Sequence, residues 1–245
     1  MLTWLSSLNE DILVVIIKNS DVLTLGTWRY TCRGFYTVVG TVLRKRYESC
    51  IQPFVLDVNH FDNIVRACGA VISGSVALQF FLHDDPWHPS DLDIYLPDRT
   101  FDSFVNMVDK DPKVGFQILP NSEQPQRGSA ALGYQGIRNV YRFRTKTDRF
   151  VDVIRSSMNS PVTPLHAFWS TLVMNFVTPD GCVCGFPEGT LNRQGIVRGT
   201  LTTERDQSAV TKIAGLPSSA VPGRVASTIP LRGMWITSVT RMRSL

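Results

Sequence analysis

Ser73-Gly74-Ser75-Val76-Ala77-Leu78-Gln79-Phe80-Phe81-Leu82 and, after a polar loop, Ser90-Asp91-Leu92-Asp93-Ile94-Tyr95-Leu96 are the stretches that decide the fold. The first reads as a small-residue turn opening an apolar helix. The second reads as a strand. Side chains alternate along a strand, so Asp91 and Asp93 share one face while Leu92 and Ile94 share the other. Two carboxylates side by side repel unless a cation lies near both, and Mg2+ is commonly held by one or two carboxylates together with phosphate oxygens. Gly74 lets the backbone approach a ligand closely. The start of the following helix offers N–H groups and a positive dipole end to an anion. The combination points to a metal-bound phosphate.

Upstream, Ala70-Val71-Ile72 reads as a buried strand feeding this turn. Before it, Asn59 or Asp62 starts a helix with Phe61, Ile64, Val65 and Cys68 inward, and Gly69 closes it. The loop between the two deciding stretches holds His83, Asp84, Asp85 and His88, which either line a site or belong to a solvated turn. After the Asp-bearing strand, Pro97 and Asp98 break the chain. Thr100 then caps an amphipathic helix with Phe101, Phe104, Val105 and Val108 on one face. Residues 109–136 are rich in Pro, Gly, Gln, Ser and Asn. A strand is expected within 114–119 and a mobile loop over 121–133.

Residues 137–155 read as a β-hairpin turning at 145–148. Its second strand carries Asp152 among Phe150, Val151, Val153 and Ile154. Burying a lone carboxylate is costly, so Asp152 needs a partner. Two partners are open to it: an arginine of the hairpin (Arg138, Arg142, Arg144 or Arg149), or a site shared with Asp91 and Asp93. Beyond the hairpin, Thr163-Pro164 opens a helical pattern through Leu165, Phe168, Trp169, Leu172, Val173 and Phe176. Residues 204–245 lose periodicity and read as a poorly ordered tail.

Residues 1–50 read as three helices. Leu8, Ile12, Val15 and Ile16 fall on one helical face. Asp21 caps the next helix, which carries Val22, Leu25 and Trp28 inward. A third begins near Arg33-Gly34 and ends in the basic run Arg44-Lys45-Arg46.

The 245 residues carry a net charge of +4, with 43% hydrophobic and 19% charged residues. That composition builds a core and is not that of a disordered chain. Five Cys in apolar surroundings fit reduced thiols, and the Cys182-x-Cys184 spacing lacks the second ligand pair that structural zinc requires. The apolar run from Ile12 to Ile17 is too short for a signal core or a membrane span, which implies a soluble cytoplasmic or nuclear protein.

Two family resemblances follow from these residues. The first covers about 45 residues at the N-terminus. Leu8-Asn9-Glu10-Asp11-Ile12-Leu13, Asp21-Val22-Leu23-Thr24-Leu25 and Cys32-Arg33-Gly34-Phe35 resemble an F-box, with Asn9 where the family usually has Pro. The resemblance implies docking on the adaptor subunit of a cullin-type ubiquitin ligase, with Leu8, Ile12, Leu25 and Phe35 as apolar anchors. The second covers roughly residues 55–180. Ile72, Gly74-Ser75, Asp91-Leu92-Asp93 and Phe150-Val151-Asp152-Val153-Ile154 resemble the nucleotidyltransferase superfamily that includes DNA polymerase beta. It implies Asp91, Asp93 and Asp152 as catalytic metal ligands, Gly74 and Ser75 as contacts to the triphosphate, and Mg2+ with an NTP as cofactors. The joined pattern resembles a group of fungal F-box-like proteins.

The expected fold is therefore α+β: a small helical F-box-like segment over 1–50, a nucleotidyltransferase-like mixed-sheet domain with flanking helices over 51–203, and the tail over 204–245. The expected function is an interaction protein that docks on the ligase adaptor, presents an unidentified target and binds Mg-nucleotide. The alternative is an active metal-dependent nucleotidyltransferase with an unidentified acceptor.

Overall fold

The computed structural model describes residues 10–125, 136–197 and 240–241. Among them are seven α-helices: α1 Glu10–Lys18, α2 Val22–Arg29, α3 Arg33–Ile51, α4 Val58–Cys68, α5 Gly74–Phe81, α6 Phe101–Val108 and α7 Pro187–Leu191. The strands are β1 Val71–Ser73, β2 Asp91–Leu96, β3 Phe116–Ile118, β4 Ile137–Thr145, β5 Phe150–Ser156, β6 Asn175–Thr178, β7 Gly181–Cys184 and the two-residue β8 Thr240–Arg241. They form one mixed sheet in the order β3-β4-β5-β2-β1-β6-β7-β8. β2 and β5 run parallel, and every other pairing is antiparallel.

Strand alternation sorts side chains between the two faces. Leu92, Ile94, Leu96, Val151 and Val153 join a core that also takes Ile17, Leu25, Leu43, Phe61, Phe80 and Phe104 from the helices. Val71, Tyr95 and Ile154 point the other way, into a smaller cluster with Leu78, Leu82, Leu165 and Phe168. Fully burying side chains of this size is worth about 1.5–3 kcal/mol each.

The three N-terminal helices are part of the larger core rather than a separate body. α3 runs past the basic run Arg44-Lys45-Arg46, its expected end, to Ile51. Its Arg44 and Tyr47 bond the buried Asp62 of α4, at 2.5 and 2.7 Å. Arg46 donates to the carbonyls of Lys18 and Ser20, at 2.8 Å each. Asp21 caps α2 as expected, accepting from Leu23 and Thr24 at 2.9 Å.

Several expectations need correction. Asp57, not Asn59 or Asp62, caps α4, although Gly69 closes it at φ +61° as anticipated. Thr100 does not cap α6; its hydroxyl donates to the Cys68 carbonyl at 2.6 Å. The largest error is the helix expected from Thr163 to Phe176. Pro164 begins only a short 3-10 turn, Thr163–Ala167, and Phe168 and Ser170 are extended. A second turn, Thr171–Val173, leads into β6, which pairs with the otherwise open edge of β1. Trp169, Thr171, Val173, Phe176, Val177 and Thr178 are β-branched or aromatic and suit a strand. The apolar spacing matches a helix, and pairing with the edge of β1 overrides it. Leu8, much of the expected loop at 121–133 and most of the tail lie outside the described residues. Among the described residues, no helix is long and apolar enough to cross a membrane.

Candidate functional site

The site lies on the face of the sheet opposite the main core. Asp93 of β2 is in register with Ser73 of β1 on one side and with Asp152 of β5 on the other. Asp152 is in register with Arg142 of β4. A row of polar side chains, Ser73, Asp93, Asp152 and Arg142, thus crosses four neighbouring strands, and Asp91 lies two residues before Asp93 on the same face. Neutral partners on the opposite face fill the core, so alternation confines the polar groups to this row.

Gly74 begins α5 directly beside Asp93. Its φ is +67°, a left-handed value that favours glycine. A Cβ at this position would collide with Oδ2 of Asp93. The turn is therefore a cradle in which backbone, not side chain, faces the carboxylate. The first N–H groups of a helix lack intrahelical acceptors and favour anions. The Ser75 hydroxyl reaches the Asp91 carbonyl at 3.5 Å, and the Ser90 hydroxyl reaches the Asp91 carboxylate at 3.3 Å. Ser73 is pinned beneath the turn by a 2.5 Å bond to the Asn175 carbonyl.

Of the two partners open to Asp152, the structure brings both together. Arg142 grips Asp152 in a bidentate pair, Nε to Oδ1 and Nη2 to Oδ2, both at 2.6 Å. Asp152 is only 3% exposed. The hydrogen bonds to Asp152 hold the Arg142 pKa above its ordinary value; burial opposes this, and the charges of Asp152, Asp91 and Asp93 add to it. The guanidinium is thus the resident counter-ion of the carboxylate row. Its backbone is fixed by Gln124, which accepts from Arg142 N–H at 2.8 Å and donates to its carbonyl at 3.0 Å. The guanidinium carbon of Arg142 lies 5.3 Å from the centroid of the Phe150 ring.

Among the described residues, no group of three or more His, Cys, Asp or Glu is placed to hold a metal ion. Asp91 and Asp93, next to a backbone cradle at a helix start, still match the donor set of Mg2+ bound jointly with phosphate oxygens, which needs only one or two carboxylates. Asp152 fits such a role less well, because both of its oxygens are engaged by Arg142.

The loop residues go elsewhere. Asp85 pairs with Arg193 at 2.6 Å, His83 with Asp84 at 2.7 Å and with the Lys18 carbonyl at 3.0 Å, and His88 with Gln79 at 2.9 Å. Arg138 bonds Asp98, Arg144 bonds Asp148, and Arg149 bonds the Pro89 carbonyl, which leaves Arg142 as the hairpin arginine on Asp152. Neither Ser73 nor Gln124 is among the expected site residues. Ser73 was findable from its place at the strand end beside Gly74. Gln124 carries no local signal.

The expected docking anchors divide. Ile12, Val15 and Ile16 of α1 are 50%, 58% and 42% exposed. Leu25 is fully buried and supports the helices from inside, so it is not a surface anchor. Phe35 is half-buried against Trp28, ring centroids 5.6 Å apart.

No protein-family profile, no curated protein and no solved structure matches this chain.

Proposed function

We propose that this chain is an interaction protein whose nucleotidyltransferase-like sheet binds a magnesium-chelated nucleoside triphosphate. What supports the nucleotide site is one observation: Gly74, in a glycine-favoured conformation at the start of α5, lies against Asp93 in the carboxylate row. Asp91 and Asp93 hold the ion. The Gly74–Ser75 turn takes phosphate oxygens through backbone N–H groups and the Ser75 hydroxyl. When bound, the ion neutralises the carboxylate pair and orients the phosphates.

Binding is favoured over nucleotidyl transfer because Asp152, which the resemblance makes the third catalytic ligand, is committed to Arg142. Equilibrium binding of a fluorescent NTP in Mg2+ tests the reading. The full chain is expected to bind, and Asp91→Asn/Asp93→Asn to lose at least tenfold in affinity. Equal affinity in both would remove the site.

A second role rests on the outward apolar face of α1. We infer that Ile12, Val15 and Ile16 dock on the adaptor subunit of a cullin-type ubiquitin ligase, with the remainder of the chain presenting a target. Exposed apolar residues grouped on one helix suit a partner-binding surface. Co-purification with the purified adaptor is expected for the wild-type chain and lost in Ile12→Asp/Val15→Asp. A wild-type chain that retains no adaptor would end this role.

A further inference from the structure

We propose that Arg142 is the built-in second cation of this site, so that a nucleotide bound there carries one divalent ion rather than two. The inference deepens the nucleotide-binding reading and rests on it. A two-metal site needs carboxylate oxygens free on both sides of the reacting phosphate. Here both oxygens of the buried carboxylate are already engaged, Nε and Nη2 of Arg142 each taking one oxygen of Asp152 at 2.6 Å, so that an ion on Asp152 would lie against a guanidinium.

The guanidinium is held in place from several directions. β4 sets it directly opposite Asp152. Gln124 clamps its backbone on both polar groups. Its Cζ also lies over the Phe150 ring, 5.3 Å from the centroid. Its planar fork matches a carboxylate in two parallel bonds, a geometry that a lysine or a hydrated ion does not reproduce. A second divalent ion on Asp152 would have to expel this group, or lie beside a positive charge whose ionisation its surroundings strengthen. An arginine also stays charged without exchanging with solvent, so the row is neutralised in part before any ligand arrives. The Arg142 side chain is part-exposed, which leaves it able to face the phosphates of a nucleotide held at Asp91 and Asp93.

Counting bound Mn2+ by electron paramagnetic resonance, with the full chain saturated by a non-hydrolysable ATP analogue, tests this. The wild-type chain is expected to bind one Mn2+ per chain, and Arg142→Gln two. Asp152→Asn provides the second variant should Arg142→Gln fail to fold; it is expected to keep the one ion, because Asp152 is not a ligand. Two ions in the wild type, one ion in a folded Arg142→Gln, or loss of an ion in Asp152→Asn overturns the assignment to Arg142 while leaving nucleotide binding intact. Absence of both nucleotide and Mn2+ from the wild type overturns the nucleotide reading itself, and this inference with it.

Discussion

Arg142 and Asp152 face each other across the β4–β5 pair and share two hydrogen bonds of 2.6 Å. The next strand over places Asp93 in register with Asp152. Asp152 therefore lies between a guanidinium that pairs with it and a second carboxylate that repels it. Removing one partner of a buried ion pair leaves the other uncompensated, which commonly costs about 3–5 kcal/mol. That is why the strand tolerates an aspartate between Val151 and Val153.

The backbone at Gly74 makes the first prediction. A side chain there must adopt φ +67° and also overlap Asp93. The left-handed conformation alone costs roughly 1–2 kcal/mol. Gly74→Ala is expected to lose about 2 kcal/mol in urea unfolding and to weaken nucleotide binding. A Gly74→Ala chain as stable as wild type would mean that the turn does not press against Asp93.

Arg29 makes the second. It is 4% exposed, and its side-chain nitrogens have no hydrogen-bond partner among the described residues. Its guanidinium lies 4.1 Å from the Tyr36 ring centroid. A desolvated cation–π contact offsets about 2 kcal/mol, less than the cost of burying an unpaired cation. Arg29→Met is therefore expected to raise Tm by a few degrees in a thermal melt. A fall of similar size would mean that Arg29 is matched by an anion.

His83 gives a pH dependence. Burial and the nearby Arg46 charge hold its pKa below 6.5, while the Lys18 carbonyl, Asp84 and Asp21 oppose the shift. The unfolded chain then takes up the proton first as pH falls. Above the ordinary histidine range His83 contributes nothing to the pH slope; below it, stability is lost down to the depressed folded value. Urea midpoints should fall between about pH 7 and 5 in wild type, and less so in His83→Asn. Identical slopes would exclude His83 as the source.

Much of this architecture was legible because its signals are local. Asp91-x-Asp93 on an alternating strand, Gly74 before an apolar helix and Gly69 after one each carry their conformation in a few residues. The hairpin at 137–155 was legible for the same reason, and β4 and β5 form as expected. Which arginine would meet Asp152 was not legible, because register across β4 and β5 selects Arg142 over three neighbours. Nor was the fate of residues 163–176. Their apolar spacing matched a helix, but the open edge of β1 recruits Asn175–Thr178 as a strand. The exposure of Ile12, Val15 and Ile16, against the burial of Ile17 and Leu25, likewise depends on how α1 and α2 pack on α3.

On the proposed reading, a magnesium-chelated nucleotide binds at Asp91 and Asp93. A thermal melt of the full chain with and without Mg2+ and each NTP, beside Asp91→Asn/Asp93→Asn, tests it most directly. A ligand at about 100 times its Kd stabilises the folded state by roughly 2.7 kcal/mol. For a chain of this size that corresponds to a rise on the order of 5–10 °C. Such a rise is expected in wild type, dependent on Mg2+ and absent from the double variant. No rise in wild type, with the double variant melting higher than wild type in every condition, would contradict it and leave the carboxylates as mutually repelling groups in a site that takes no nucleotide.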